Sequence, residues 1–471
     1  MKILFCSPEV YPFSKAGGVA DFSASLPKAL NKLNTVVNVV TPYHQVVKDE
    51  YSSEMQFVGS KTIVLDNMEE IANYYKTSRD GVNYYFIEHS FFNRVKFFDH
   101  DDDIKRFMFF NLAILELIDL IKYYPDIIHL NDWTNALLPY FLDSFYKEKL
   151  GYENIKTLLT IHNLEKQGAY PKTYEHLFTK KNFTYLHIDN INFLKTGIMR
   201  SSKINTVSHS YRSEMLTKFF GFSLDGALKS RQLDLRGIQN GLDFELYNPE
   251  LDPYIFKNYN IDNFIEGKEI NKKNLFEELG FKDTNKMLVS YIGKFGKQKG
   301  IDLITSVIDK YLTNDEFYFV VNGQGDYQYE TYFSELALKY PDNFRYFEGF
   351  KHKLSQKIYA SSDLLLMPSL YEASGLNQMI AMRYGTIPLV RETGGLKDTV
   401  TSYDKSTNSG TGFTFENFDA KEFSEAIDLA VYYYNNEKEH FNNIISNGMK
   451  IDNDILSMAK EYHNLYFEIL K

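Results

Sequence analysis

The chain has 471 residues, a formal net charge of −10, 44% hydrophobic and 24% charged residues, and one cysteine. It is too long for one ordinary core and suits two domains of about 200 residues each. The acidic balance argues against nucleic acid or an anionic membrane as a main partner, so a phosphate-bearing ligand must be held by local cations. Cys6 alone excludes an internal disulfide and fits a reducing cytoplasm. No apolar run approaches the ~20 residues of a membrane span, and Ile3-Leu4-Phe5-Cys6 is too short for a signal-peptide core.

Lys2 to Ser7 predicts a first strand, and Pro8-Glu9-Val10-Tyr11-Pro12 a rigid turn. Ser14-Lys15-Ala16-Gly17-Gly18-Val19-Ala20-Asp21 then leads into a helix whose apolar face is Phe22, Leu26, Ala29, Leu30 and Leu33. A glycine loop between strand and helix is where α/β sheets bind anions, and Lys15 is a mobile phosphate partner. The alternative is an ordinary βα loop. Val36 to Thr41 predicts a second strand, residues 61–88 antiparallel or edge strands around a turn at Asp80-Gly81, and Phe107 to Tyr123 a long helix. Three further strands each deliver polar residues at their C-terminal ends, the face where such sheets keep ligands. Ile127–Leu130 delivers Asn131-Asp132-Trp133, Leu158–Ile161 delivers His162-Asn163 and then Gln167-Gly168, and Ile204–Val207 delivers Ser208-His209-Ser210. Trp133, the single tryptophan, has packing as its alternative role, and His162 a structural hydrogen bond.

The turn-rich run from Arg236 through Asn240 and Asp243 to Pro249 marks a domain boundary. A charged helix over 267–279 and a strand from Met287 to Ile292 open the second domain. Gly293-Lys294-Phe295-Gly296-Lys297-Gln298-Lys299-Gly300 follows, with three lysines and three glycines in eight residues. It lacks the Gly-Lys-Ser/Thr ending of a nucleoside-triphosphate loop but suits a diphosphate; solvated lysines are the alternative. A strand at Phe317–Asn322 ends in a bare Gly-x-Gly at Gly323-Gln324-Gly325, weak support for a dinucleotide fold, and Arg345–Phe347 predicts another short strand.

Residues 363–400 carry the most information. Leu364 to Met367 reads as a buried parallel strand, followed by a polar loop holding Glu372 and a helix from Leu376 to Tyr384 that stops at Gly385. Free N–H groups near Ser374, Gly375 and Leu376 suit a phosphate, and Gly375 lets a ligand approach the backbone. Glu372 would repel an anion, so it reads as holding sugar hydroxyls or facing positive charge that develops during reaction. The alternative is an acid favoured by the helix dipole. Thr386 to Val390 predicts the next strand, Gly394-Gly395 a second tight loop, and helices over 421–434 and 454–470 close the chain. No cluster of metal-ligand spacing is present, so no metal or other cofactor is expected.

Together these motifs resemble the glycogen/starch synthase family of retaining glycosyltransferases that use nucleotide-glucose donors. The resemblance rests on the Ser14–Asp21 loop, Thr160-Ile161-His162-Asn163 with Gln167-Gly168, Gly237–Asp243, Gln298-Lys299-Gly300-Ile301-Asp302-Leu303, and Glu372 through Val400. It implies a GT-B fold, two Rossmann-like doubly wound domains facing each other across a cleft. The N-terminal domain would be 1–242, the nucleotide-sugar domain 243–454, and 455–471 a helix crossing back to the first. By the resemblance, Glu372, Lys299, Lys294 and His162 are catalytic. Lys15, Gly17, Gly18, Asp21, Asn163, Asn240, Gln298, Ser374, Gly375, Leu376, Gln378, Thr393 and Gly394 bind the donor, and Asp132 and Trp133 lie on the acceptor side. The implied reaction transfers glucose from ADP-glucose to the non-reducing end of an α-1,4-glucan such as glycogen. UDP-glucose as donor, or a catalytically silent glucan-binding relative, are the alternatives. The chain departs from the family pattern where Lys294 replaces Arg, Asn131 replaces His, Ala373-Ser374 replaces Pro-Cys and Lys166 replaces Tyr. Ile380 stands where many related transferases carry a second Glu, as in the glycogen synthase branch.

Overall fold

Ile3, Leu4, Phe5 and Cys6 are without solvent contact in β1 (Lys2–Cys6), the strand from which the first sheet grows in both directions. The computed structural model describes residues 1–65, 68–178, 183–283, 285–349 and 351–471. They divide into two units, Met1–Gly241 with Ile455–Lys471, and Leu242–Asp454.

In the first unit β1 is followed by β2 (Val36–Pro42), β3 (Gln56–Leu65), β4 (Met68–Arg79), β5 (Val82–Glu88), β6 (Ile127–Asn131) and β7 (Lys156–Ile161). Three short strands, β8 (Ala169–Pro171), β9 (Leu186–His187) and β10 (Asn190–Asn192), form a small antiparallel sheet. β11 (Lys203–Thr206) and β12 (Leu235–Gly237) complete the main sheet, in the order β12-β11-β7-β6-β1-β2-β5-β4-β3. Pairing is parallel from β12 to β5. Only β4 runs opposite to the rest, pairing antiparallel with both β5 and β3, with Asp80 and Gly81, both at positive φ, turning β4 into β5. β1, apolar on both faces after Lys2, and β6, buried throughout with His129 and Asn131 hydrogen-bonded on one face, are what a covered parallel sheet requires. The helix Gly18–Asn31 lays Phe22, Leu26 and Leu30 against this core. The helix Ile455–Leu470 adds Met458, Tyr462, Leu465 and Tyr466 to the same cluster.

The second unit is an all-parallel sheet of β13 (Leu288–Phe295), β14 (Tyr318–Gly325), β15 (Phe344–Glu348), β16 (Leu364–Met367), β17 (Ile387–Arg391) and β18 (Phe413–Phe415). Their order is β15-β14-β13-β16-β17-β18. β13 pairs with β14 along its full length but with β16 only at Val289 and Ser290, so the two strands part beyond that point. In both sheets the strand order reverses beside the first strand, between β1 and β6 and between β13 and β16. A crevice at the C-terminal strand ends is expected at each.

Three local readings change. Gly323-Gln324-Gly325 belongs to β14, where a Cβ at Gly323 or Gly325 would overlap the carbonyl of Gly293 or Phe295, so these glycines serve strand-to-strand approach. Gly394-Gly395 opens the helix Gly394–Thr399. A helix at Lys438–Met449 was not foreseen. Among the described residues no helix is long and apolar enough to cross a membrane.

Candidate active site

In the second unit the reversal point gathers the residues that the glycine-lysine loop and the Glu372 loop bring from either side. Lys299 follows β13 in a short turn, Lys297–Lys299, and its Nζ meets Glu372 Oε2 at 2.5 Å. Glu372 is 7% exposed and also accepts from Ser369 Oγ at 3.2 Å, so its charge is held in a nearly dry pocket by one cation and one hydroxyl. The two loops are stitched along their backbones: the Leu370 N–H donates to Gln298 O at 2.8 Å, and Gln298 Nε2 to Tyr371 O at 3.4 Å. Gly300 sits at φ +69°, where a Cβ would overlap the Pro368 carbonyl, so only glycine lets the lysine loop come this near. Arg391, in β17, donates from Nε to Ser369 O at 2.7 Å and from a terminal nitrogen to Leu370 O, fixing the same loop from behind.

The remaining residues expected here divide by what they touch. The N–H groups of Ser374, Gly375 and Leu376 have no acceptor among the described residues. Gln378 is fully buried and donates to Ser374 O, Gly375 O and Thr399 Oγ1, which makes it a brace of the loop. Gly394 and Gly395 press on the backbone of Glu372 and Ser374; the Gly395 N–H donates to Glu372 O at 3.0 Å. Thr393 is buried at the head of the helix that Gly394 begins. Lys294 is exposed, and its ammonium has no partner among the described residues.

In the first unit the reversal point lies between the loop after β1 and the residues after β6. Lys15 Nζ is paired with both oxygens of Asp21, at 2.7 and 2.8 Å, and lies over the Tyr11 ring. The Gly17 N–H, expected to meet a ligand, instead donates to Glu9 Oε2 at 3.1 Å, and the Ala16 N–H bonds to the same oxygen. Glu9 was missed: an acid in a proline turn reads as surface, and only the fold-back of residues 15–17 buries it to 3% exposure. Gly18 begins the helix that carries Asp21.

His162 Nε2 lies 2.9 Å from Asn131 Oδ1, and Asn131 Nδ2 donates to Cys6 O at 2.9 Å. Its ring meets Phe22 edge-on at 4.7 Å, and desolvation pushes its pKa down to about 3, so the imidazole is neutral. Asp132 adopts φ +55° and accepts the N–H groups of His162, at 2.7 Å, and Asn163, at 3.3 Å; burial lifts its carboxyl to about 7. It therefore orients the end of β7. Trp133 packs on Phe107 at 4.8 Å and on Gly168, where a Cβ would overlap the indole. Asn163 Oδ1 accepts from the Glu165 N–H at 3.0 Å, while the buried Asn240 Oδ1 has no partner among the described residues. No group of three or more His, Cys, Asp or Glu among the described residues is arranged to hold a metal ion.

Comparison with known proteins bears on the whole chain. Residues 2–230 match the family described as starch synthase catalytic domain, and residues 271–450 that described as glycosyl transferases group 1. Glycogen synthase of Acholeplasma laidlawii is 42% identical over 100% of this chain and 99% of its own length. That of Finegoldia magna is 39% identical over 100% of both. The catalytic domain of Starch Synthase IV from Arabidopsis thaliana, bound to ADP and acarbose, matches with a TM-score of 0.92 at 30% identity, over 100% of this chain and 99% of that one. Sucrose-phosphate synthase from Thermosynechococcus elongatus, TM-score 0.63 at 16% identity, bears on the fold alone. The two α/β units, with these family and structure matches, define a GT-B glycosyltransferase. More narrowly, the chain belongs to the glycogen and starch synthase family.

Proposed function

We propose that this chain lengthens an α-1,4-glucan such as glycogen by transferring glucose from ADP-glucose to the non-reducing end, with retention of configuration. The observation that carries the reading is the Lys299–Glu372 pair at the reversal of strand order in the second unit. A lysine and a carboxylate sharing one pocket match a donor that offers a diphosphate and a sugar side by side. When the diphosphate arrives, its oxygens take over the Lys299 ammonium. Glu372 is then released to accept glucose hydroxyls and to face the positive charge that builds at the anomeric carbon.

In the reaction the bond from that carbon to the diphosphate oxygen breaks, and its electron pair leaves with ADP. The acceptor 4-hydroxyl bonds to the same face of the carbon, and its proton passes to the departing phosphate. Negative charge grows on the leaving group, so Lys299 and Lys294 act as electrostatic stabilisers and do the work a divalent ion does elsewhere, while Lys15 is the corresponding phosphate partner at the first unit's own reversal point. Activity in excess EDTA is accordingly expected to match the untreated rate. His162, neutral and tied to Asn131, is a hydrogen-bonding group at the strand ends of the first unit. ADP-glucose is favoured over UDP-glucose because a relative matching the full chain was solved with ADP bound.

The test is a radiolabelled transfer assay with glycogen primer and either donor. Lys299→Ala should lower turnover by about 10²–10³ and weaken donor binding as well. Glu372→Gln should lower turnover with only a modest change in donor affinity. Full activity in both variants would remove the site; faster transfer from UDP-glucose would change the donor.

A further inference from the structure

Lys294 differs from the other two lysines of the reading above. Lys15 is held by Asp21 and Lys299 by Glu372, whereas the Lys294 ammonium has no partner among the described residues. A lysine stem has many rotamers, so a free one meets a ligand well only if its backbone is fixed. Here the backbone lies beyond Ser290, the last residue of β13 paired to β16, where the ladder on that side has ended.

Two side chains occupy that gap. Tyr291 Oη donates to the Lys294 carbonyl at 2.8 Å, and Asn377 Nδ2 donates to the Ile292 carbonyl at 2.7 Å. Between them Gly293 is at φ +150°, and a Cβ there would come 3.3 Å from Tyr291 Oη, so the bend closes tightly on the phenol. Tyr291 is 3% exposed, and burial together with the nearby Glu372 charge holds its hydroxyl protonated, as a donor must be. Asn377 opens the helix that follows the Glu372 loop, so its bond also ties the Lys294 bend to that loop.

We propose that Tyr291 and Asn377 are positioning residues for Lys294, holding the end of β13 in the bend that presents this ammonium to the donor's diphosphate. The proposal rests on the reading that Lys294 meets the diphosphate. In this chain the two bonds do for a flexible lysine what β16 no longer does for the strand.

A double-mutant cycle on the full-length chain tests it, with ADP-glucose and glycogen and with KM and kcat measured separately. Lys294→Ala should raise the donor KM about 10- to 100-fold, as for loss of a charged hydrogen bond. Tyr291→Phe should raise it about 3- to 10-fold and lower kcat in the same direction as Lys294→Ala, with the glycogen KM nearly unchanged. In the Lys294→Ala background, Tyr291→Phe should add less than about twofold, because its effect acts through the missing ammonium. Asn377→Ala should follow the same pattern and supplies the cycle if Tyr291→Phe does not fold. An unchanged donor KM in Lys294→Ala would overturn the diphosphate reading and the proposal with it. A raised KM in Lys294→Ala with fully additive or absent Tyr291 and Asn377 effects would overturn the positioning role alone.

Discussion

At Glu9, burial lifts the carboxyl pKa from 4.5 to about 7, against the pull of the Ala16 and Gly17 amides; Asp21 adds to the rise and Lys15 opposes it. Below the unfolded value both states hold the proton, and the favourable contribution to folding is complete. As pH climbs from about 4.5 through about 7 the unfolded chain gives up its proton first, so that contribution is lost. Glu9→Gln removes this term. Denaturant melts should show wild type losing on the order of 3 kcal/mol relative to the variant across that window. A difference that does not vary with pH would refute it. Of the residues in the two loop systems, Lys15, Lys299 and Glu372 could be singled out from the sequence because each is a charge in a glycine-bearing loop after a strand. Arg391 could not, since it acts on backbone 22 and 21 residues away; Glu9 and Tyr291 could not, since their nearby backbone partners reach them only through turns whose geometry leaves no residue pattern.

Among the elements, the turn between β13 and its helix shows how backbone freedom is converted into side-chain placement. Gly300 combines a left-handed conformation with overlap of any Cβ on the Pro368 carbonyl. Gly300→Ala would cost about 1–2 kcal/mol in backbone conformation alone, and relief of the overlap would push Lys299 away from Glu372. We expect a lowered Tm together with a raised donor KM. A variant with wild-type KM would show that the turn does not set the lysine's position. The same logic explains why Gly323-Gln324-Gly325 gave only weak support for a dinucleotide fold and why Gly394-Gly395, read as a tight loop, opens a helix. A glycine pair looks identical in sequence whether a ligand or another strand approaches it, and only the neighbouring backbone tells them apart.

For the molecule as a whole, the helix Ile455–Leu470 is the last part of the chain and packs within the first unit. Tyr466 Oη meets His129 Nδ1 at 2.7 Å, His129 Nε2 meets Thr160 Oγ1 at 2.6 Å, and Asn205 donates to Tyr462 Oη at 2.7 Å. This fully buried network joins the helix to β6, β7 and β11, two of which end in Asn131 and precede His162. Tyr466→Phe strands a buried histidine nitrogen and should cost about 1–3 kcal/mol of stability, read as a lower Tm; an unchanged Tm would mean the network bears no load. Strand periodicity and charge-bearing glycine loops were enough to indicate two α/β units, because apolar alternation and turn chemistry are local, and the resemblance of the ordered motifs to the glycogen and starch synthase family supplied the transferase class. Which amides were already occupied, which glycines faced backbone, and that Lys294 hangs on Tyr291 and Asn377 were decided only by the tertiary structure. Those facts depend on hydrogen bonds and close approaches between segments as much as 85 residues apart.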